Sequence, residues 1–205
     1  MTDDPQRLYL LAPPGLDDPA MLARFEEALA VLPVACVRLD LGEASEADWT
    51  RAANLAIEPC HRRDVALVIT DHHRLVASLG LDGVHLGDAA KSVRAVRKEL
   101  GPDAIVGSHC ATSRHDGMSA GEAGADYSSV GPVRASGLDD GAFAETELFQ
   151  WWSEVIEVPV VAEGALDAEI VGTLAPFTDF FGIGDEIWGG DDPLGALNRL
   201  LAAIS

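Results

Sequence analysis

Short apolar runs of about five to seven residues alternate with amphipathic stretches of about eight to fifteen along the whole chain. Short runs bounded by turn residues suit strands buried in a parallel sheet, and the longer stretches suit helices that cover them. The pattern predicts strands at Arg7–Ala12, Val34–Asp40, Ala66–Asp71, Gly83–Gly87, Ala104–His109, Tyr127–Val133, Pro159–Gly164 and Phe177–Gly184. Between them it predicts helices from Asp17-Asp18-Pro19 to about Val31, then at Ser45–Cys60, His73–Leu79, Ser92–Leu100, Arg114–Ala123, Glu145–Ile156, Ala168–Leu174 and Pro193–Ile204. Start and stop signals agree with these bounds. Asp18 before Pro19 and Ser45 three residues before Asp48 are helix-opening sequences, and Gly101-Pro102 closes a helix.

Eight strands in strict alternation with eight helices predict a single α/β domain over residues 1–205, closed as a (β/α)8 TIM barrel. No GxGxxG follows the first strand, which argues against a dinucleotide-binding sheet. In a barrel of this kind the chemistry sits where the strands end, on the loops that follow them. Asp40, Asp71, His72, Asp88, His109, Arg134 and Asp185 lie at that end, whereas His61-Arg62-Arg63-Asp64 precedes a strand and reads as a solvated or structural run at the opposite face.

Charge narrows the partners. With 34 acids against 14 bases, a formal −20, the chain lacks the basic face that nucleic acid requires. No run approaches the length of a membrane span, and the start Met-Thr-Asp-Asp-Pro has neither the basic nor the apolar part of a secretory signal. Cys36, Cys60 and Cys110 are odd in number with no CxxC, so reduced thiols and a cytoplasmic location are expected.

Two phrases carry a resemblance. Leu81-Asp82-Gly83-Val84-His85-Leu86-Gly87 and Gly124-Ala125-Asp126-Tyr127-Ser128-Ser129-Val130-Gly131-Pro132 resemble consecutive strand ends of thiamine-phosphate synthase, the barrel that joins a pyrimidine pyrophosphate to a thiazole phosphate. The resemblance implies small thiamine precursors as partners, magnesium held by Asp71 and Asp88, and no organic cofactor; it leaves a homo-oligomer open. By the same resemblance Arg38, Thr70, Arg134, Ser136, Gly164 and Asp185 fall at substrate- or phosphate-binding places, with Arg38 and His109 as the catalytic candidates.

Several of those places have changed character. Arg38 is kept where the family reads Gln-x-Arg-x-Lys, but the lysine place is Asp40. Asp139 stands for the lysine after the sixth strand, Asp185 for a serine after the eighth, and Ala90 for the family's second metal-binding acid, with Asp88 two residues before it. Where relatives read Ala-Ile-Gly-Gly this chain reads Ala162-Glu163-Gly164-Ala165. A carboxylate about 5 Å from a phosphate charge costs about 3 kcal/mol at an effective dielectric of about 20. Pyrophosphate chemistry is therefore expected to be reduced or altered. An acid-rimmed mouth favours a cation, an aminopyrimidine, or a metal held by Asp71, Asp88 and Asp185 with His85 or His109.

Three functions follow as alternatives: a divergent thiamine-phosphate synthase, an isomerase like the related thiazole tautomerase with His109 as acid and base, or a non-catalytic barrel that binds a thiamine precursor or a partner protein. His85 reads as a hydrogen-bonded core histidine, Cys36 as a buried inert thiol, and Trp151, Trp152 and Trp188 as packing.

Overall fold

The structure is a computed structural model that describes residues 8–134, 141–190 and 192–204. Strands β1 (Leu8–Leu11), β2 (Val34–Leu39), β3 (Ala66–Thr70), β4 (Gly83–Leu86), β5 (Ile105–His109), β6 (Tyr127–Val130), β7 (Val160–Glu163) and β8 (Phe180–Ile183) pair in sequence order, all parallel, and β8 returns to β1 to close the barrel. Each strand occupies a stretch in which the pattern predicts one. The closed eightfold ring is the predicted TIM barrel.

Helices α1 (Pro19–Val31), α2 (Glu46–His61), α3 (Arg74–Leu79), α4 (Val93–Leu100), α5 (Arg114–Ala123), α6 (Thr146–Val155), α7 (Ala168–Leu174), α8 (Asp185–Trp188) and α9 (Pro193–Leu201) follow the strands. The caps form as their sequences imply. Asp18 accepts from Ala20 N ahead of Pro19, Ser45 from Asp48 N, Ser113 from Asp116 N and Asp167 from Ile170 N, each satisfying an N–H that the helix itself leaves open.

Alternation along each strand separates two cores. Leu8, Leu10, Val37, Leu39, Leu67, Ile69, Val84, Val106, Phe181 and Ile183 face outward and are buried beneath the helices. The other set points into the barrel, where Tyr9, Val68, Tyr127 and Val161 form a small apolar floor with Leu11, Cys36, Ile105 and Phe180 around it.

The differences from expectation lie at element ends. β8 starts at Phe180 rather than Phe177, because the Phe177 N–H closes the end of α7 on Leu174 O at 2.9 Å. β6 stops at Val130 rather than Val133, since Pro132 has no N–H to offer a ladder. The stretch after β8, where the sequence pattern predicts no helix before Pro193, contains the short helix α8. The face at the starts of the strands is as expected: Arg62 pairs with Glu58, and His61 lies 2.8 Å from Asp82.

Candidate functional site

Above the apolar floor the inward positions turn polar. Arg38 of β2, His85 of β4, His109 of β5, Ser129 of β6 and Glu163 of β7 converge inside the upper barrel. Arg38 Nη1 lies 3.1 Å from Glu163 Oε2, and both side chains are almost wholly buried. Glu163 Oε1 accepts from Ser129 Oγ at 2.7 Å and lies 2.8 Å from His109 Nδ1, which is itself 2.9 Å from Ser129 Oγ. The imidazole of His109 is thus held from one side, with its side chain 22% exposed.

Electrostatics fix the charge states of this group. Burial alone would raise the Glu163 carboxyl, but Arg38 and then His109 outweigh it and hold the acid well below the usual carboxylate range. Burial works against the Arg38 charge too, and it is outweighed only by the facing Glu163 together with Tyr9, Tyr127 and Asp40. A buried pair of this kind contributes little net stability, yet losing one partner strands the other charge, which costs about 3–5 kcal/mol.

Below the pair, Tyr9 and Tyr127 join hydroxyls at 2.6 Å, and the Tyr127 hydroxyl lies 3.0 Å from His85 Nδ1. Burial, with Arg38 adding to it, pushes His85 well below the usual histidine value and keeps it neutral. Gly107 makes room for this layer: a Cβ there would lie 2.0 Å from the Tyr127 ring. His85 is the hydrogen-bonded interior histidine that its strand position implies. Cys36 is partly buried, and burial pushes its thiol far up, so it is held protonated.

Among the described residues, one group of three His, Cys, Asp or Glu side chains could hold a metal: His85, His109 and Glu163, whose ligand atoms lie within 4.8 Å of one another. Arg38 already occupies one face of that carboxylate, which opposes a cation there. Asp71 and Asp88 lie outside this group. Asp71 Oδ1 accepts from Gly87 N at 2.7 Å and Asp88 Oδ2 from Ser92 Oγ at 2.5 Å, while Asp88 Oδ1 is buried without a hydrogen-bond partner. Each acid spends one oxygen on the protein. A carboxylate oxygen not used by the protein is the donor type magnesium takes, one or two carboxylates plus water and phosphate oxygens.

The other sequence candidates separate. Thr70 ends β3 opposite His85, and its buried Oγ1 has no hydrogen-bond partner. Arg134 pairs with Asp167 and, at 3.7 Å, with Glu169. Ser136 and Asp139 lie outside the described residues. Asp40 is exposed just past β2. A cavity of about 550 Å³ opens at the mouth, and Arg38, Asp40, Glu163, Gly164, Asp185 and Trp188 are among the residues that line it. Trp188, expected as packing alone, is buried with Nε1 donating to Leu11 O at 2.8 Å while one part of it walls the cavity.

Sequence reasoning missed Glu163, Ser129 and the tyrosine pair as members of the site. A signal was present for one of them. Glu163 ends an otherwise apolar run two residues beyond Val161, and the two-residue strand period places it inside the barrel.

A profile of the family described as thiamine monophosphate synthase matches residues 8–177. A thiamine-phosphate synthase of Rhodospirillum centenum is 38% identical over 184 residues, covering 89% of each chain. A thiamine-phosphate synthase of Erythrobacter litoralis is 36% identical over 199 residues, covering 93% of this chain and 92% of its own. Among solved structures, a thiamine phosphate pyrophosphorylase from Pyrococcus furiosus superposes with a TM-score of 0.84 at 19% identity, covering 98% of this chain and 96% of that one. That last likeness concerns the fold.

Proposed function

The chain belongs to the thiamine monophosphate synthase family, and from that premise we propose that its barrel mouth binds a thiamine precursor while transferring pyrimidine to thiazole phosphate weakly or not at all. One observation carries this reading, the buried ion pair between Arg38 and Glu163 at 3.1 Å. Departure of pyrophosphate needs groups that stabilise its growing negative charge. An arginine already neutralised by an ionised, buried carboxylate has little net charge left for that task. Each further rim carboxylate about 5 Å from a phosphate charge opposes it by about 3 kcal/mol, or about a hundredfold in rate or affinity.

Parts of the binding frame support a role for the mouth itself. Thr70 Oγ1 is a buried polar atom with no hydrogen-bond partner, and Gly164 lines the cavity just past β7. Asp71 and Asp88 would hold magnesium, which when bound supplies positive charge to phosphate oxygens. Binding without efficient transfer is what this combination favours.

The test is pyrophosphate release from hydroxymethylpyrimidine pyrophosphate and thiazole phosphate with magnesium, beside the Rhodospirillum centenum relative. Turnover slower by about a hundredfold or more is expected. Equal turnover would overturn the reading.

A second reading, an isomerase of thiamine precursors, is favoured by the dyad at His109. Glu163 Oε1 at 2.8 Å holds Nδ1 and orients the ring, so that Nε2 is the atom left to exchange a proton with a ligand. Loss of isomerisation in His109→Ala with retained ligand binding supports it; binding with no turnover under any condition supports the non-catalytic barrel instead.

A further inference from the structure

The loops that follow β7 and β8, with a short extra helix, form the place where barrels of this architecture commonly seat a phosphate on backbone N–H groups. Here a side chain of the protein reaches into that place. Glu186 Oε2 accepts from Gly184 N at 2.8 Å, and Glu186 Oε1 accepts from Leu166 N at 3.1 Å. One N–H comes from the loop after β8 and the other from the loop after β7, so the carboxylate bridges the two loops with one oxygen on each. Both donors are satisfied by it. A phosphate entering here would meet the Glu186 charge and find two of its N–H partners taken.

Among the described residues, the charged ones lining the mouth cavity are Arg38, Asp40, Glu163, Asp185 and Glu186, one cation against four acids, and Arg38 is spent on Glu163. Leu11, Ala12, Pro14 and Trp188 add apolar surface to the wall. The indole is fixed by its bond to Leu11 O, so its surface is pre-formed rather than mobile. A negative cavity with an apolar wall attracts a flat cation by charge while burying its apolar surface. At about 550 Å³ it has the size of a small-molecule site.

We propose that Glu186 is a built-in substitute for a ligand phosphate, so that the mouth selects an unphosphorylated heteroaromatic amine or cation over its phosphorylated counterpart. This rests on the reading that the mouth binds a thiamine precursor, and it adds which chemical form is taken. Glu186 acts here as a specificity-determining residue.

The experiment is calorimetric titration of the full chain with thiamine and with thiamine monophosphate, which share their rings and differ in the phosphate. The native protein is expected to favour thiamine by about tenfold or more, a difference of about 1.4 kcal/mol. Glu186→Ala is expected to erase or reverse that preference, and inorganic phosphate is expected to raise the melting temperature of the variant but not of the native chain. Glu186→Gln serves where the alanine variant folds poorly, because its amide oxygen still accepts from one N–H while the charge is gone. A native preference for the monophosphate, an unchanged preference in both variants, or no binding of thiamine at millimolar concentration would overturn the proposal. Failure of the transfer reading looks different: rapid pyrophosphate release, measured separately, with the thiamine preference and its dependence on Glu186 intact.

Discussion

His85 is a histidine that the fold holds uncharged. Burial is the main cause and the nearby Arg38 adds to it, so its folded value lies well below 6.5. The unfolded chain then takes up the proton first, and stability falls as pH drops through the ordinary histidine range, by up to about 1.4 kcal/mol per pH unit. Glu163 acts in a lower window. Its depressed carboxyl contributes in full above about 4.5 and loses that contribution progressively as pH falls below it, entirely only at its folded value. Thermal unfolding between pH 7 and pH 5 should therefore show a falling midpoint, and His85→Gln should flatten that slope. Parallel slopes for the two proteins would show that the imidazole is not the group responsible. At this scale the sequence was half legible. His109 follows from a strand end, Arg38 from the family resemblance, and His85 from its inward position. The pairing of Arg38 with Glu163 joins β2 to β7 across the barrel interior, and no local pattern reports a contact between residues so far apart in the chain.

Among the elements, α5 and α6 show what a glycine in a helix can mean. Read alone, Gly117 weakens its helix, since alanine is the better helix former by about 1 kcal/mol. In the fold, a Cβ at Gly117 would lie 2.3 Å from Cη2 of Trp152, a ring buried against it and tied by Nε1 to Val158 O at 2.7 Å. Gly117→Ala should consequently destabilise the protein by about 1–3 kcal/mol through overpacking. Urea unfolding measures it, and a midpoint raised by the substitution would contradict the packing account. The other element worth weighing is α8. Its four residues sit between Gly184 and Gly189, so composition there reads as loop. What orders it is the carboxylate of Glu186 on the N–H of Gly184 and Leu166, a non-local contact invisible to periodicity.

For the molecule as a whole, the alternation of apolar runs and amphipathic stretches was enough to give a closed barrel, because each strand must bury both faces and each helix one. Strand ends were less legible: Phe177 and Pro132 belong to neighbouring turns for reasons of hydrogen bonding rather than hydrophobicity. The acidity also divides on inspection. Of the 34 acids, those that shape the candidate site are few, and the most consequential, Glu163 and Glu186, look inward to a guanidinium and to backbone N–H groups.

The two tyrosines of the chain face each other across the barrel floor, from β1 and β6. Burial raises both phenols far above 10.0, so neither ionises in place, and above about pH 10 the unfolded chain gains by releasing their protons. The ultraviolet band of tyrosinate should then rise together with the loss of helical circular dichroism on alkaline titration. A band that grew while the dichroism held steady would refute this. The protein thus carries its own optical gauge of barrel closure, readable with no attached dye and no inserted reporter.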